Sequence, residues 1–99
     1  MPKSISYEKY LIKSLKDPKE AEAYLNAALG NGEPQMFLLA LRHVAEARGG
    51  MSKIARSCKL NRESLYRMLS KKGNPSLQSL RKLLSSMGFR LAVEKKDAA

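Results

Sequence analysis

The chain has 99 residues, which is enough for one small domain with a single core. Its 19 lysines and arginines against nine acids give a net charge of +10, which is typical of proteins that bind polyanions such as nucleic acids. The single cysteine excludes an intramolecular disulfide framework, and the longest apolar run, residues 36–41, is far shorter than the roughly 20 residues of a membrane-spanning helix. Because the first residues also lack an apolar leader, we expect a cytoplasmic protein that does not act at a membrane.

The charge is divided unequally along the chain. Residues 1–33 carry five lysines and five acids and sum to zero, whereas residues 34–99 carry fourteen basic residues and four acids and sum to +10. The imbalance predicts two parts with different tasks: a neutral N-terminal helical segment, residues 1–33, and a basic nucleic-acid-binding domain, residues 34–99. Charge alone does not exclude the alternative that the protein is basic but binds no nucleic acid.

Two helices are predicted in the neutral part. Apolar residues at positions 7, 10, 11 and 15 have the spacing of a short amphipathic helix over residues 7–15. Asp17 and Pro18 form a helix start in which the Asp17 side chain is the cap. Gly30 is placed to end this second helix, and the following Asn-Gly pair predicts a turn.

Four further helices are predicted in the basic part. A wide apolar face from Met36 to Ala45 indicates a helix buried between other helices. Apolar residues from Leu77 to Met87 recur at the spacing of a core-facing helix. The four predicted helices cover residues 34–48, 51–59, 61–72 and 76–87.

The end of the chain has a different pattern. After Gly88, apolar and polar residues alternate over residues 89–93, which predicts a short β-strand, and residues 95–99 are predicted to be frayed. The expected fold is therefore all-α, with five to six helices and a short C-terminal β-strand.

Residues 51–70 meet the demands of a helix-turn-helix. Two short helices that cross steeply need a small residue at the crossing, an apolar plug in the turn and a cap on the second helix. Ala55, Leu60 and Asn61 fill these three roles in order. Lys59 departs from the usual residue type of such a turn. The position four residues after Ala55 often has a left-handed backbone, which glycine adopts most easily and which costs a non-glycine residue about 1 kcal/mol.

The second helix of this pair has one buried and one polar face. Leu65, Met68 and Leu69 form the buried stripe, and at about 100° per residue the opposite side carries polar side chains. Arg67 is the best candidate for a base contact, since a guanidinium pairs with both acceptors of a guanine edge; a phosphate contact is the alternative. Glu63 is suited to accept a hydrogen bond from cytosine or, more simply, to complement the helix dipole.

Several stretches, taken in order, resemble the addiction-module antidote proteins, the HigA-like antitoxins of bacterial type II toxin–antitoxin systems. These proteins carry a lambda-repressor-like helix-turn-helix of the XRE/Cro type. The resemblance runs from about residue 7 to residue 93. Its main stretches are residues 17–29 (DPKEAEAYLNAAL), 37–52 (FLLALRHVAEARGGMS), 61–70 (NRESLYRMLS) and 88–91 (GFRL).

The resemblance implies that the chain binds and silences a small RelE/HigB-like mRNA-cleaving toxin. It also implies that the chain, alone or with the toxin, binds double-stranded operator DNA and represses its own operon. The DNA-facing positions, including one flanking lysine, would be Lys53, Asn61, Arg62, Glu63, Ser64, Tyr66, Arg67, Ser70 and Lys71.

Contacts with protein partners are predicted at the two ends of the chain. An aromatic-rich surface of the N-terminal segment is the candidate toxin contact, and packing onto the domain itself is the alternative. The predicted strand has unpaired edges, so it is a candidate for pairing across a homodimer axis or with a toxin strand. The toxin candidates are Tyr7, Tyr10, Leu11, Leu15 and Tyr24, and the dimer candidates are Phe89, Leu91 and Val93.

Two other functions are weighed against the antitoxin. A stand-alone XRE-type repressor would have no protein partner, and an RNA-binding or architectural protein would show little preference among duplexes. An enzyme is the least expected class, because His43 has no catalytic partner at a meaningful spacing and Cys58 matches the buried positions. We expect no metal site and no cofactor.

Overall fold

A computed structural model describes residues 3–97, with side chains from residue 7 onward. This part of the chain forms six helices, as the all-α prediction expected. The central helix α3 packs against α1, α2 and α4, and α4 packs in turn against α5 and α6. The helices are α1 (Lys3–Ser14), α2 (Pro18–Asn31), α3 (Pro34–Ala47), α4 (Met51–Ser57), α5 (Arg62–Met68) and α6 (Leu77–Ser86).

Polar caps determine where three of the helices begin. The Asp17 carboxylate accepts a hydrogen bond from the amide two residues later, at 2.9 Å. Asn61 Oδ1 and Ser76 Oγ each accept one from the amide three residues later, at 2.7 and 3.1 Å. Each cap satisfies one of the amides that the first turn leaves without a partner, so α2, α5 and α6 start where their sequences predict.

Several helix bounds differ from the prediction: α1 begins at Lys3 rather than at residue 7, α4 ends at Ser57 rather than at residue 59, and the ends of α2 and α5 also differ. Helix α2 continues past Gly30 and ends at Gly32, whose φ of +87° is the left-handed conformation that closes a helix. Helix α5 ends at Met68 rather than at residue 72, because the Ser70 hydroxyl donates to the Arg67 carbonyl at 2.8 Å and begins a turn. Gly73 closes that turn by donating to the Ser70 carbonyl, also at 2.8 Å.

One apolar core joins the N-terminal helices to the rest of the molecule. Leu15 and Leu25 lie in the same cluster as Leu65, and each fully buried leucine contributes about 1.5–3 kcal/mol. Met36 and Leu77, which the apolar periodicity assigned to the core, are exposed in the first turns of α3 and α6. The largest fully buried side chains are Leu15, Leu41, Val44, Ile54, Leu65, Leu69 and Leu83.

The connection between α4 and α5 has the left-handed residue that is often found at this position. Lys59 has a φ of +59°, and it is the one non-glycine residue with positive φ in the described part of the chain. Ala55 and Cys58 are buried on the inner side of α4, and the Leu60 amide donates to the Ala55 carbonyl at 2.9 Å. Lysine therefore occupies a left-handed position that glycine would adopt with less strain.

The predicted C-terminal strand is not present. Residues 3–97 contain no β-strand, and the segment from Gly88 to residue 97 has no regular secondary structure. A strand requires a neighbouring strand for its hydrogen bonds, and this segment has none beside it in a single chain. The predicted frayed end lies partly outside the described residues, and its described portion, residues 95–97, is exposed.

Arg48 connects three distant parts of the chain. Its Nη1 donates to the Lys16 carbonyl at 3.2 Å, in the loop between α1 and α2. Its Cζ lies 5.8 Å from the centre of the Phe89 ring, at the start of the C-terminal segment. Phe89 also donates its amide to the Leu84 carbonyl at 2.8 Å, so the segment leaves α6 in a defined direction.

Candidate nucleic-acid interface

Helix α5 has one apolar and one polar side, as predicted. Leu65 is completely buried, whereas Arg62, Tyr66 and Arg67 are exposed. Glu63 is also exposed and lies one turn before Arg67. Four of the predicted contact residues therefore share one exposed side of a helix whose other side is anchored in the core.

Arg62 and Tyr66 form a stacked pair on this side. The Arg62 Cζ lies 5.4 Å from the centre of the Tyr66 ring, which is within the range of a cation–π contact. The ring restricts the rotamers of the guanidinium without neutralising it. A cation is thereby held near the beginning of α5.

Three predicted contact residues take part in the ends of α5. The Asn61 side chain accepts from the Ser64 amide, and Ser64 itself is half-buried. The Ser70 hydroxyl donates to the Arg67 carbonyl. The side chains of Asn61 and Ser70 therefore have structural partners, and sequence reasoning identified only the Asn61 cap.

Two lysines flank α5 from other parts of the chain. Lys53 is exposed in α4, and its Cδ lies 2.6 Å from the place that a Cβ on Gly49 would take, so its stem folds back over that glycine. Lys71 is exposed in the turn after α5. The predicted contact set thus contains four cations and one carboxylate, which favours an anionic partner.

Comparison with known proteins identifies the family. A family model described as "Probable addiction module antidote protein" matches residues 7–95. The chain belongs to this antidote family. An "Uncharacterized protein" of Haemophilus influenzae is 35% identical over 80 residues, which is 81% of each chain. The search of solved structures found no match.

The predicted toxin-contact residues of this antidote differ in accessibility. Tyr7 and Tyr10 are 65% and 70% exposed on α1. Leu11 is half-buried and packs against the core. Leu15 is only 1% exposed, so its side chain belongs to the core and not to a surface.

Tyr24 belongs to a polar cluster that the sequence did not reveal. Its hydroxyl lies 2.7 Å from His43 Nδ1, and His43 Nε2 lies 3.6 Å from a Glu8 carboxylate oxygen. With the His43 proton on Nε2, towards Glu8, the Tyr24 hydroxyl donates to Nδ1. Burial lowers the pKa of His43, although Glu8 opposes the shift, and burial together with Tyr7 raises the pKa of Tyr24.

The dimer candidates also differ from one another. Phe89 is half-buried and packs against the core, whereas Leu91 and Val93 are exposed. Cys58 is buried in the core, with its Sγ 3.4 Å from Ser86 Oγ. Within the described residues, no cluster of three or more potential metal ligands is present and no helix is long and apolar enough to span a membrane.

Proposed function

We propose that this antidote is the antitoxin of a type II toxin–antitoxin module. It captures a small RelE/HigB-like mRNA-cleaving toxin, and as a dimer it binds its own operator DNA and represses transcription. The family supports the antitoxin role, since an antidote implies a toxin partner. The observation that carries the DNA-binding half is the exposed, cationic side of α5 above a buried apolar stripe.

In this proposal α4 and α5 act as a helix-turn-helix of the XRE/Cro type, with α5 in the major groove. Arg67 reads a guanine edge from the middle of the exposed side. Arg62, held by the Tyr66 ring, binds a phosphate near the beginning of the helix, and Lys53 and Lys71 bind phosphates on either side. Function then rests on binding and not on catalysis.

Toxin capture is assigned to the neutral N-terminal part. Tyr7 and Tyr10 present aromatic rings to solvent on α1, and aromatic side chains are enriched in protein–protein interfaces. Residues 1–33 have no net charge as a whole, in contrast to the basic part of the chain that carries α5. Operator and toxin contacts thus use different helices.

The operator half is tested with the native chain and a fluorescent fragment from upstream of its gene, against a shuffled fragment at several salt concentrations. Arg67→Ala is expected to lose about 1–3 kcal/mol of discrimination between the two. Lys71→Ala is expected to weaken both equally and to reduce the salt slope by about 1. Lys19→Ala, an exposed lysine on α2, is the matched control and should change neither. Equal binding of both fragments by the native chain would show that the operator half is wrong.

The toxin half is tested by co-purification from the native host. A small protein in near-equal amount that arrests growth when expressed alone would support capture. The Tyr7→Ala/Tyr10→Ala double variant should lose this protein, whereas Tyr66→Ala should retain it. A single clean species, while the neighbouring genes are transcribed, would instead indicate a stand-alone XRE-type repressor.

A further inference from the structure

The C-terminal segment has backbone groups that the single chain does not use. In the described part of the chain, residues 90–97 make no backbone hydrogen bond with another backbone group. All of them are exposed, and Val93 is 99% exposed. An exposed run of unpaired donors and acceptors with alternating apolar residues is suited to pairing with another strand.

Open clefts lie on both sides of the beginning of this segment. One, of about 1020 Å³, separates it from the end of α4 and from α6, and the other, of about 560 Å³, separates it from α2 and α3. Phe89, Arg90 and Leu91 border both clefts. A second strand therefore has access to the segment without displacing a helix.

The sequence of the segment is complementary to itself in one antiparallel register. With Ala92 opposite Ala92 of a second copy, Arg90 faces Glu94 and Glu94 faces Arg90. Leu91 and Val93 face each other in the same way. Facing residues lie close enough to interact, so this register joins unlike charges on one face and pairs Leu91 with Val93 on the other, where Phe89 lies opposite Lys95 at each end.

We propose that two copies of this chain pair through residues 89–95 as antiparallel strands, with the twofold axis at Ala92. This inference rests on the dimer in the proposed function and specifies its interface. An isologous contact of this kind closes on itself and yields a dimer and not a filament.

Other registers are less favourable. An axis at Leu91 brings no unlike charges together, an axis at Val93 places Arg90 opposite Lys96, and an axis at Glu94 places that carboxylate opposite its own copy. An axis between two residues sets the apolar face of one strand against the polar face of the other. Of these residue-centred registers, only the one centred on Ala92 places unlike charges opposite each other.

Apolar surface beside the segment supports the same pairing. Phe89 already packs against the core, and Leu91, which would lie on the same face of a strand, borders both clefts. Leu77, 66% exposed, borders the larger cleft. Two paired strands are stable in water only when they pack on further apolar surface, which this cleft provides.

The position of the axis can be measured with single cysteines in the full chain. Leu91→Cys, Ala92→Cys and Val93→Cys are oxidised gently and separated without reductant. Ala92→Cys is expected to form a disulfide dimer at least about tenfold faster than the other two, because in this register only residue 92 faces its own copy and the Cα atoms of the other two pairs lie beyond the roughly 7 Å limit for bridging. The native chain, with only the buried Cys58, is the control and should not cross-link.

The register can be tested independently by exchanging charges, with dimer dissociation followed by analytical ultracentrifugation. Arg90→Glu and Glu94→Arg each create two like-charged pairs, and each is expected to raise the dimer Kd roughly tenfold. The double variant should restore it. Lys96→Glu is the matched control, because Lys96 faces the uncharged Gly88 in this register.

The inference is overturned if Leu91→Cys or Val93→Cys cross-links fastest, if the double charge exchange fails to restore the dimer, or if the native chain is monomeric. These assays contain neither DNA nor toxin. If the native chain is a monomer but still prefers its operator fragment, the inferred dimer interface is wrong and the proposed α5 contacts with DNA are retained. If the native chain is a dimer with no operator preference, the proposed DNA contacts are wrong and the dimer interface is retained.

Discussion

The N-terminal helices and the α4–α6 part share α3 as a support but use their polar side chains differently. In α1 and α2, Glu8 and Tyr24 are directed to His43, and the charges of residues 1–33 cancel. On α5, Arg62 and Arg67 remain at the surface, in a part of the chain with a net charge of +10. The difference separates residues that maintain the fold from residues that are available to bind.

A substitution in α3, the helix that supports both parts, is the strongest test of this comparison. Leu41 is completely buried in α3, and Leu41→Ala is expected to reduce the free energy of unfolding by about 2–5 kcal/mol. Since one core serves both parts, hydrogen exchange should lose protection in α2 and α5 together. Loss of protection in α2 alone would mean that the two parts unfold independently.

The same glycine substitution should have opposite effects in the two parts. A Cβ on Gly73 would overlap the Met68 carbonyl oxygen, so Gly73→Ala should destabilise the chain by about 1–3 kcal/mol in thermal unfolding. Gly30 has no neighbouring atom within 4 Å of that position and lies in α2. Gly30→Ala should therefore stabilise by up to about 1 kcal/mol. If both variants change the stability in the same direction, the predicted difference between the two glycines is wrong.

Removal of a tyrosine hydroxyl should also distinguish the two parts. Tyr24→Phe removes the hydrogen bond to His43 Nδ1 and should cost about 0.5–1.5 kcal/mol in urea unfolding. Tyr66 is exposed, and Tyr66→Phe should stay within about 0.5 kcal/mol while retaining the ring beneath Arg62. An equal cost at both positions would show that the Tyr24 hydrogen bond does not contribute.

Replacement of lysine by glycine compares the α4–α5 turn with a helix. Lys59→Gly relieves a left-handed residue and should raise the melting temperature, through a gain of up to about 1 kcal/mol. Lys13→Gly, in α1, should lower it by a similar amount. A destabilised Lys59→Gly variant would indicate that its side chain has a further role in the turn.

The smallest expected effect concerns pH. The pKa of His43 in the folded chain lies below its ordinary value of 6.5, so the unfolded chain binds the proton more readily. Stability should be complete above that value and decline as the pH falls through it towards the folded pKa. Glu8 and Glu46 oppose the shift and Arg42 reinforces it. Thermal melts from about pH 8 to pH 5 should show this decline in the native chain and lose it in His43→Gln.

Sequence patterns predicted the parts of the fold that depend on local chemistry. The caps at Asp17 and Asn61 and the buried stripe of α5 follow from residue type and helical spacing. The left-handed Lys59 follows from its position after Ala55. The exposed residues of α5 were named correctly as exposed, and their contact with DNA remains a prediction.

The remainder depends on contacts between distant residues. The end of α5 is determined by Ser70 and Gly73, which close a turn that helical periodicity does not register. The cluster of Glu8, Tyr24 and His43 joins three helices and leaves no spacing signal in the sequence. The strand was predicted from alternation alone, which does not supply the neighbouring strand that its hydrogen bonds require.

The two contacts of Arg48 connect the surface beside α1 with the C-terminal segment, so binding at one of these places can affect binding at the other. One guanidinium contacts both the Lys16 carbonyl in the α1–α2 loop and the Phe89 ring that begins the C-terminal segment. A ligand that displaces Arg48 from one contact alters the free energy of the other. Thermodynamic reciprocity makes this coupling equal in both directions, so a toxin beside α1 and a second copy at residues 89–95 would change each other's affinity by the same factor.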